Sequence, residues 1–199
     1  LKLVVSESEP FWVGLLLNTE AVGFYKVALA IVGLLIIPVT PFNFTAFPEI
    51  TRSVASKTWL QLRRLLKRIS ILSAVWTIGV TLFMALFGKW LIGVTYGKEF
   101  APAYVSLMIL LIGFGVSNIF FWNRSLLLSF GNAHIPLYVM AGAGVLKIGL
   151  SLLLVPRYGM NIEALLLSAY FVLTVAIMVI LGYGLIKKAE SLETSAGEA

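Results

Sequence analysis

The chain has 199 residues, of which 60% are hydrophobic and only 12% charged, with a net charge of +6 and no cysteine. Soluble domains carry roughly half apolar and about a quarter charged residues, so this composition excludes an ordinary water-soluble fold and places the chain in a bilayer. Disulfides and thiolate metal sites are excluded as well.

Residues 1–17 contain two apolar pieces, Leu1 to Val5 and Phe11 to Leu17, separated by Glu7, Glu9 and Pro10. They read as the tail of a helix that begins upstream, and the chain as the C-terminal part of a longer membrane protein. Residues 21–48 form the first full span, long enough at about 1.5 Å per residue to cross about 30 Å of hydrocarbon. Pro38, Pro41 and Pro48 interrupt it. Prolines persist in a span where neighbours satisfy the freed carbonyls, and they mark a bend or a hinge. Glu49 beside Arg52 closes this segment in a structural role.

A basic loop follows, with Lys57, Arg63, Arg64, Lys67 and Arg68 on one side of a helical wheel and Trp59, Leu62, Leu66 and Ile69 on the other. This pattern predicts a short helix lying on the membrane surface. Such a run is a topology signal and lipid anchor, or a contact for anionic headgroups at the cytoplasmic entrance. Charges that flank spans in this way account for the basic balance without nucleic acid.

The next spans are residues 69–92, 102–130, 136–155 and 162–186, giving five complete transmembrane helices plus the end of a sixth in an all-α polytopic bundle. Positive residues accumulate in short cytoplasmic loops, so the basic loop lies inside. Alternation then puts Lys98 and Glu99 outside, Arg124 and His134 inside, Arg157 and Glu163 outside, and Lys187 and Lys188 inside. Trp59 and Trp122 fall near the inner surface and Trp12 and Trp90 near the outer one, as an aromatic belt requires. Trp76 lies deeper and demands a packing partner. Pro156 and Gly159, with Arg157 and Tyr158 at headgroup level, predict an outer hairpin between the last two spans. Residues 1–188 thus form one helical unit, and residues 189–199 a disordered cytoplasmic tail.

Few residues here carry chemistry. There is no aspartate and one histidine, His134, which reads as a polar loop residue. Neither clustered carboxylates for magnesium nor a glycine-rich nucleotide loop occurs, so the segment reads as non-catalytic, without metal or cofactor. Three cations at membrane depth remain. Lys147 lies about 16 Å along its helix from Pro136. A charge there costs about 3 kcal/mol unless it faces protein or water. It is a structural partner for a carboxylate or helix end, or a substrate contact. Lys26 lies near the outer end of its span and can snorkel to the surface. Arg124 is an inner anchor or a cation lining a cavity. Glu9 could pair with a lysine, join in ion coupling or sit in an outer loop.

Four stretches, "EAVGFYKVALAI", "FPEITRSVA", "YGKEFAPAYVSLMILLIG" and "LLLVPRYGMNIEALLLS", follow one another in an order that resembles the C-terminal half of polysaccharide-type flippases of the multidrug/oligosaccharidyl-lipid/polysaccharide exporter superfamily. Gly23, Tyr25 and Ala28 resemble a G-x-Y-x-x-A pattern after an outer hairpin. Tyr96, Gly97, Phe100 and Ala101 resemble the turn before that family's tenth helix. Pro156, Tyr158 and Gly159 resemble its last outer hairpin, although Asn161, Ile162 and Glu163 replace most of the small residues usual there. The resemblance implies one lobe of a two-lobe fold that flips a polyprenyl-diphosphate-linked oligosaccharide across the cytoplasmic membrane by alternating access. It implies membrane lipids, that lipid-linked sugar and a missing N-terminal lobe, or a second copy, as partners. Lys147, Arg124 and Lys26 would offset the anionic headgroup, and Glu9 would occupy the place of an acidic residue often found in the preceding helix. A drug/cation antiporter of the same fold ranks second, because the full spans carry lysine rather than acid. A non-transporting fragment is the remaining alternative.

Overall fold

The computed structural model describes residues 9–197, and all of their regular structure is helical. Leu1 to Val5 and Glu7 lie outside the described residues. The helices are α1 (Glu9–Leu16), α2 (Thr19–Leu34), α3 (Thr40–Ala55), α4 (Trp59–Thr95), α5 (Ala103–Ile119), α6 (Asn123–Ser129), α7 (His134–Tyr158) and α8 (Met160–Gly197). Among the described residues, five segments are long and apolar enough to cross a membrane: Thr19–Ala55, Trp59–Thr95, Ala103–Ser129, His134–Tyr158 and Met160–Glu193. The chain is an all-α polytopic bundle.

Two helices sit at the centre. The α5 helix packs on α2, α4 and α8, while α8 packs on α5, α6 and α7, and the short α1 bridges α2 and α7. Small residues permit the tightest crossing. A Cβ placed on Gly113 of α5 would collide with the backbone of Ser168 on α8, and Ser168 Oγ donates to the Ile109 carbonyl at 2.7 Å. Close backbone approach of this kind is how helices associate where lipid is as apolar as leucine. On α4 the buried residues Leu62, Leu66, Ser73, Thr77, Met84, Gly88 and Ile92 recur every four or seven positions, defining one inward face. Its other face presents Ile71, Val75, Ile78, Leu82, Leu86 and Trp90 outward, apolar surface that a bilayer covers and water would not.

Several sequence expectations are corrected. The basic run is the start of α4, not a separate surface helix. No proline or glycine lies between Trp59 and Ile78, and Leu62 and Leu66 continue the same buried face. At 37 residues α4 is about 55 Å long, well beyond about 30 Å of hydrocarbon. Where the bend was expected, a 3₁₀ turn, Ile37–Val39, containing Pro38, separates α2 from α3. Pro41 lies in the first turn of α3, where its missing N–H costs nothing, and Pro48 sits on the exposed side of α3 without interrupting it. Pro38 deprives the Leu34 carbonyl of a donor, and the 3₁₀ turn redirects Val39 N–H to Ile36, leaving Leu35 O open. Trp76 Nε1 donates to Leu35 O at 3.1 Å, the packing explanation its depth required.

The span expected at 102–130 is present as Ala103–Ser129, with a turn after Ile119 that divides it into α5 and α6. Trp122 at this break is not an interfacial belt residue. It is fully buried, donates to Ser70 Oγ at 2.6 Å, and anchors a core with Ile50, Leu62, Leu66 and Ile186. His134 opens α7 instead of lying in a loop. Pro156 lies inside the last turn of α7, and the reversal falls on Gly159, whose φ of 78° favours glycine. The tail departs from the expected disorder: α8 continues to Gly197, and Glu190 and Glu193 meet Arg63, Lys57 and Trp59.

Gly113→Ala is expected to lower stability by about 1–3 kcal/mol through overpacking against Ser168. Gly149→Ala, which meets open space, should stay within about 0.5 kcal/mol. Thermal unfolding in detergent compares them, and equal effects would remove the α5–α8 contact as the reason.

Candidate functional site

Two polar regions interrupt the apolar interior. The first gathers ionisable groups from four helices. Glu9 lies on α1, and Glu163 lies in the first turn of α8, where the backbone dipole favours negative charge. Lys147 comes from α7 and Tyr25 from α2. Lys147 Nζ donates to Glu9 Oε1 at 2.6 Å and also to Glu163 Oε1, while Tyr25 OH donates to Glu9 Oε2 at 3.1 Å. Glu9, Glu163 and Tyr25 are fully buried and Lys147 is 4% exposed. Glu163 Oε2 is buried without a hydrogen-bond partner, and so is Ser151 Oγ, one turn beyond Lys147 on α7.

The second region is a cavity of about 270 Å³ between α3, α5, α6, α7 and α8. Its polar lining comes from Asn43, Ser117, Asn118, Asn123, Arg124, Ser125, Tyr170 and Thr174, interleaved with Phe114, Phe121 and Phe171. The α5–α6 break supplies Asn123 and Arg124. Asn123 Nδ2 donates to Phe120 O at 2.6 Å, fixing the turn, and the exposed Arg124 opens toward the cavity it lines. Asn118 Nδ2 is held by Thr77 Oγ1 of α4 at 3.0 Å. Tyr170 is 3% exposed, and its hydroxyl has no partner. Such a lining offers one cation, several amides and hydroxyls, and aromatic faces.

The structure separates the residues that the sequence had grouped. Arg124 lines the cavity. Lys147 does not, because its ammonium is committed to two carboxylates, one of them the Glu9 read as an ion-coupling residue. Lys26 is exposed on α2 and belongs to neither region. Sequence reasoning left Glu163 in an outer hairpin and gave Tyr170, Asn118 and Thr174 no role. A carboxylate opening a long apolar helix was the available signal for Glu163. The antiporter reading ranked second because the full spans were expected to bury lysine rather than acid, whereas the last span buries Glu163 against Lys147, and α1 adds the buried Glu9.

Removing one partner from a buried ion cluster strands the others. Lys147→Met is expected to lower stability by about 3–5 kcal/mol. Adding Glu9→Gln should recover part of that loss, because the double variant has one fewer stranded carboxylate. Unfolding of the three proteins in lipid nanodiscs checks this, and strictly additive losses would show that the two side chains act independently.

No protein-family model, curated protein or solved structure matches this chain.

Proposed function

We propose that this chain forms one lobe of a membrane transporter that carries a polyprenyl-diphosphate-linked oligosaccharide across the cytoplasmic membrane by alternating access. The observation that carries the reading is the polar cavity. A bundle built to sit in hydrocarbon has no structural need for Arg124, Asn43 and an unpartnered tyrosine hydroxyl around one void. Every such group must be satisfied or removed from lipid, and a polar ligand satisfies them.

The chemistry of the lining fits the cargo. A diphosphate is met by a guanidinium, which binds it with a planar fork of N–H donors. Sugar hydroxyls are met by Asn43, Asn118, Asn123, Ser125 and Thr174, and sugar faces by Phe114, Phe121 and Phe171. At about 270 Å³ the cavity is small beside the roughly 300–1,000 Å³ of a pocket for a complete small ligand, so one lobe holds part of a headgroup and a facing lobe or second copy supplies the rest. The basic residues of α4, with Lys187 and Lys188, support a cytoplasmic orientation for the end of the bundle that carries them. Export then begins with loading from the inner leaflet.

A drug/cation antiporter draws on the burial of Glu9 and Glu163. Both are tied to Lys147 and neither lines the cavity, so a cationic cargo would meet Arg124 and no carboxylate there.

Arg124→Ala in the native membrane is expected to reduce outward delivery of lipid-linked oligosaccharide about tenfold, the loss of about 1.4 kcal/mol, at unchanged abundance. Arg124→Lys should keep part of the activity, and Lys26→Ala nearly all of it. Delivery unaffected by Arg124→Ala would overturn the reading.

A further inference from the structure

We propose that the Glu9–Lys147–Glu163 cluster is a single-proton site: it binds one exchangeable proton per chain and no metal cation. The argument is a count of charges and donors, and it stands whether or not the cavity takes a headgroup.

Two carboxylates and one ammonium leave one excess negative charge when all three are ionised. All three are buried, with exposures of 0%, 0% and 4%. Buried charge persists only when paired or neutralised, so the excess must be cancelled inside the cluster. Lys147 Nζ donates to a carboxylate on either side. Tyr25 stays a phenol, because it donates to Glu9 Oε2.

The donors reach three of the four carboxylate oxygens. Glu9 Oε1 and Glu163 Oε1 take Lys147, Glu9 Oε2 takes Tyr25, and Glu163 Oε2 has none. That open oxygen is where a proton binds. A metal cation would have to sit between the two carboxylates, and the ammonium already occupies that place.

Among the described residues, no other charge turns into the cluster from the helices around it. On α2, Glu20 and Lys26 are exposed, and on α7 Arg157 and Tyr158 are exposed. From α5, Ser106 is bonded to Asn161 Oδ1 at 2.8 Å, and Tyr104 OH donates to Ala85 O at 2.9 Å. Tyr170 of α8 lines the cavity instead. Ser151 is uncharged. Because the three groups come from α1, α7 and α8, gain or loss of the proton is linked to how these helices sit on one another.

The test is an infrared pH titration of the full chain in nanodiscs of zwitterionic lipid, following the carboxylic C=O band and the protons released per chain. Wild type should lose one buried carboxylic acid as pH rises. Glu163→Gln should remove that titration and release one proton fewer, while Glu20→Gln should leave it unchanged. Should Glu163→Gln fail to fold, Glu9→Gln removes the same excess charge and serves in its place. Replacing choline by sodium in the wild-type buffer should not move the midpoint. A band indifferent to both glutamine variants, or one displaced by sodium, would overturn the proposal.

Discussion

Hydrocarbon offers no hydrogen bonds, so each backbone carbonyl freed by a helix break and each charge carried into the bundle must find its partner within the protein. The breaks in this chain obey that constraint locally. Pro38 and the 3₁₀ turn free Leu35 O, and the indole of Trp76 reaches across from α4 to take it. The break after α5 leaves Phe120 O to receive both the backbone and the side-chain nitrogen of Asn123. Irregular backbone is therefore kept where a neighbouring side chain completes it, and these irregular points are also what shape the cavity wall.

The same constraint sorts the polar side chains into two kinds of place. In the charge cluster nearly every donor and acceptor is matched across four helices, and the cost of desolvating the charged groups is offset by their mutual contacts and, for Glu163, by a helix N-terminus. In the cavity the matching is incomplete, with Arg124 open to the void and Tyr170 OH without a partner. A closed cluster holds helices together, whereas an open lining awaits something polar. This difference assigns Lys147 to the first region and Arg124 to the second, although both are lone cations within apolar runs.

At the basic end, helices that outrun the hydrocarbon meet in water. Lys57, held with φ of 57°, pairs with Glu193 at 3.0 Å, Arg63 pairs with Glu190 at 2.8 Å, and Trp59 stacks on Phe130 while donating to Glu193. Exposed ion pairs of this sort contribute about 0–1 kcal/mol each, so their effect is to set the relative position of α4 and α8 more than to stabilise the bundle. The polar composition of residues 189–199 looks disordered by itself. Helix propagation from a long apolar segment, together with Lys57 and the Arg63 of α4, accounts for the helix that continues as far as Gly197.

The sequence alone determined the class, the five apolar segments and the requirement that Trp76 and Lys147 find partners. These follow from one-dimensional quantities: segment length, hydropathy, and the cost of a charge at a given depth. It did not determine that the basic run continues α4, since the amphipathic pattern of Leu62 and Leu66 serves a surface helix and an extended span equally well. Nor did it determine which carboxylates meet Lys147, because Glu9 lies 138 residues away in sequence and Glu163 sits beyond a reversal. The cavity was equally hidden. Asn43, Asn118, Arg124 and Tyr170 belong to four helices with no shared spacing, and only the packing of α5 against α8, permitted by Gly113, brings their side chains to one void.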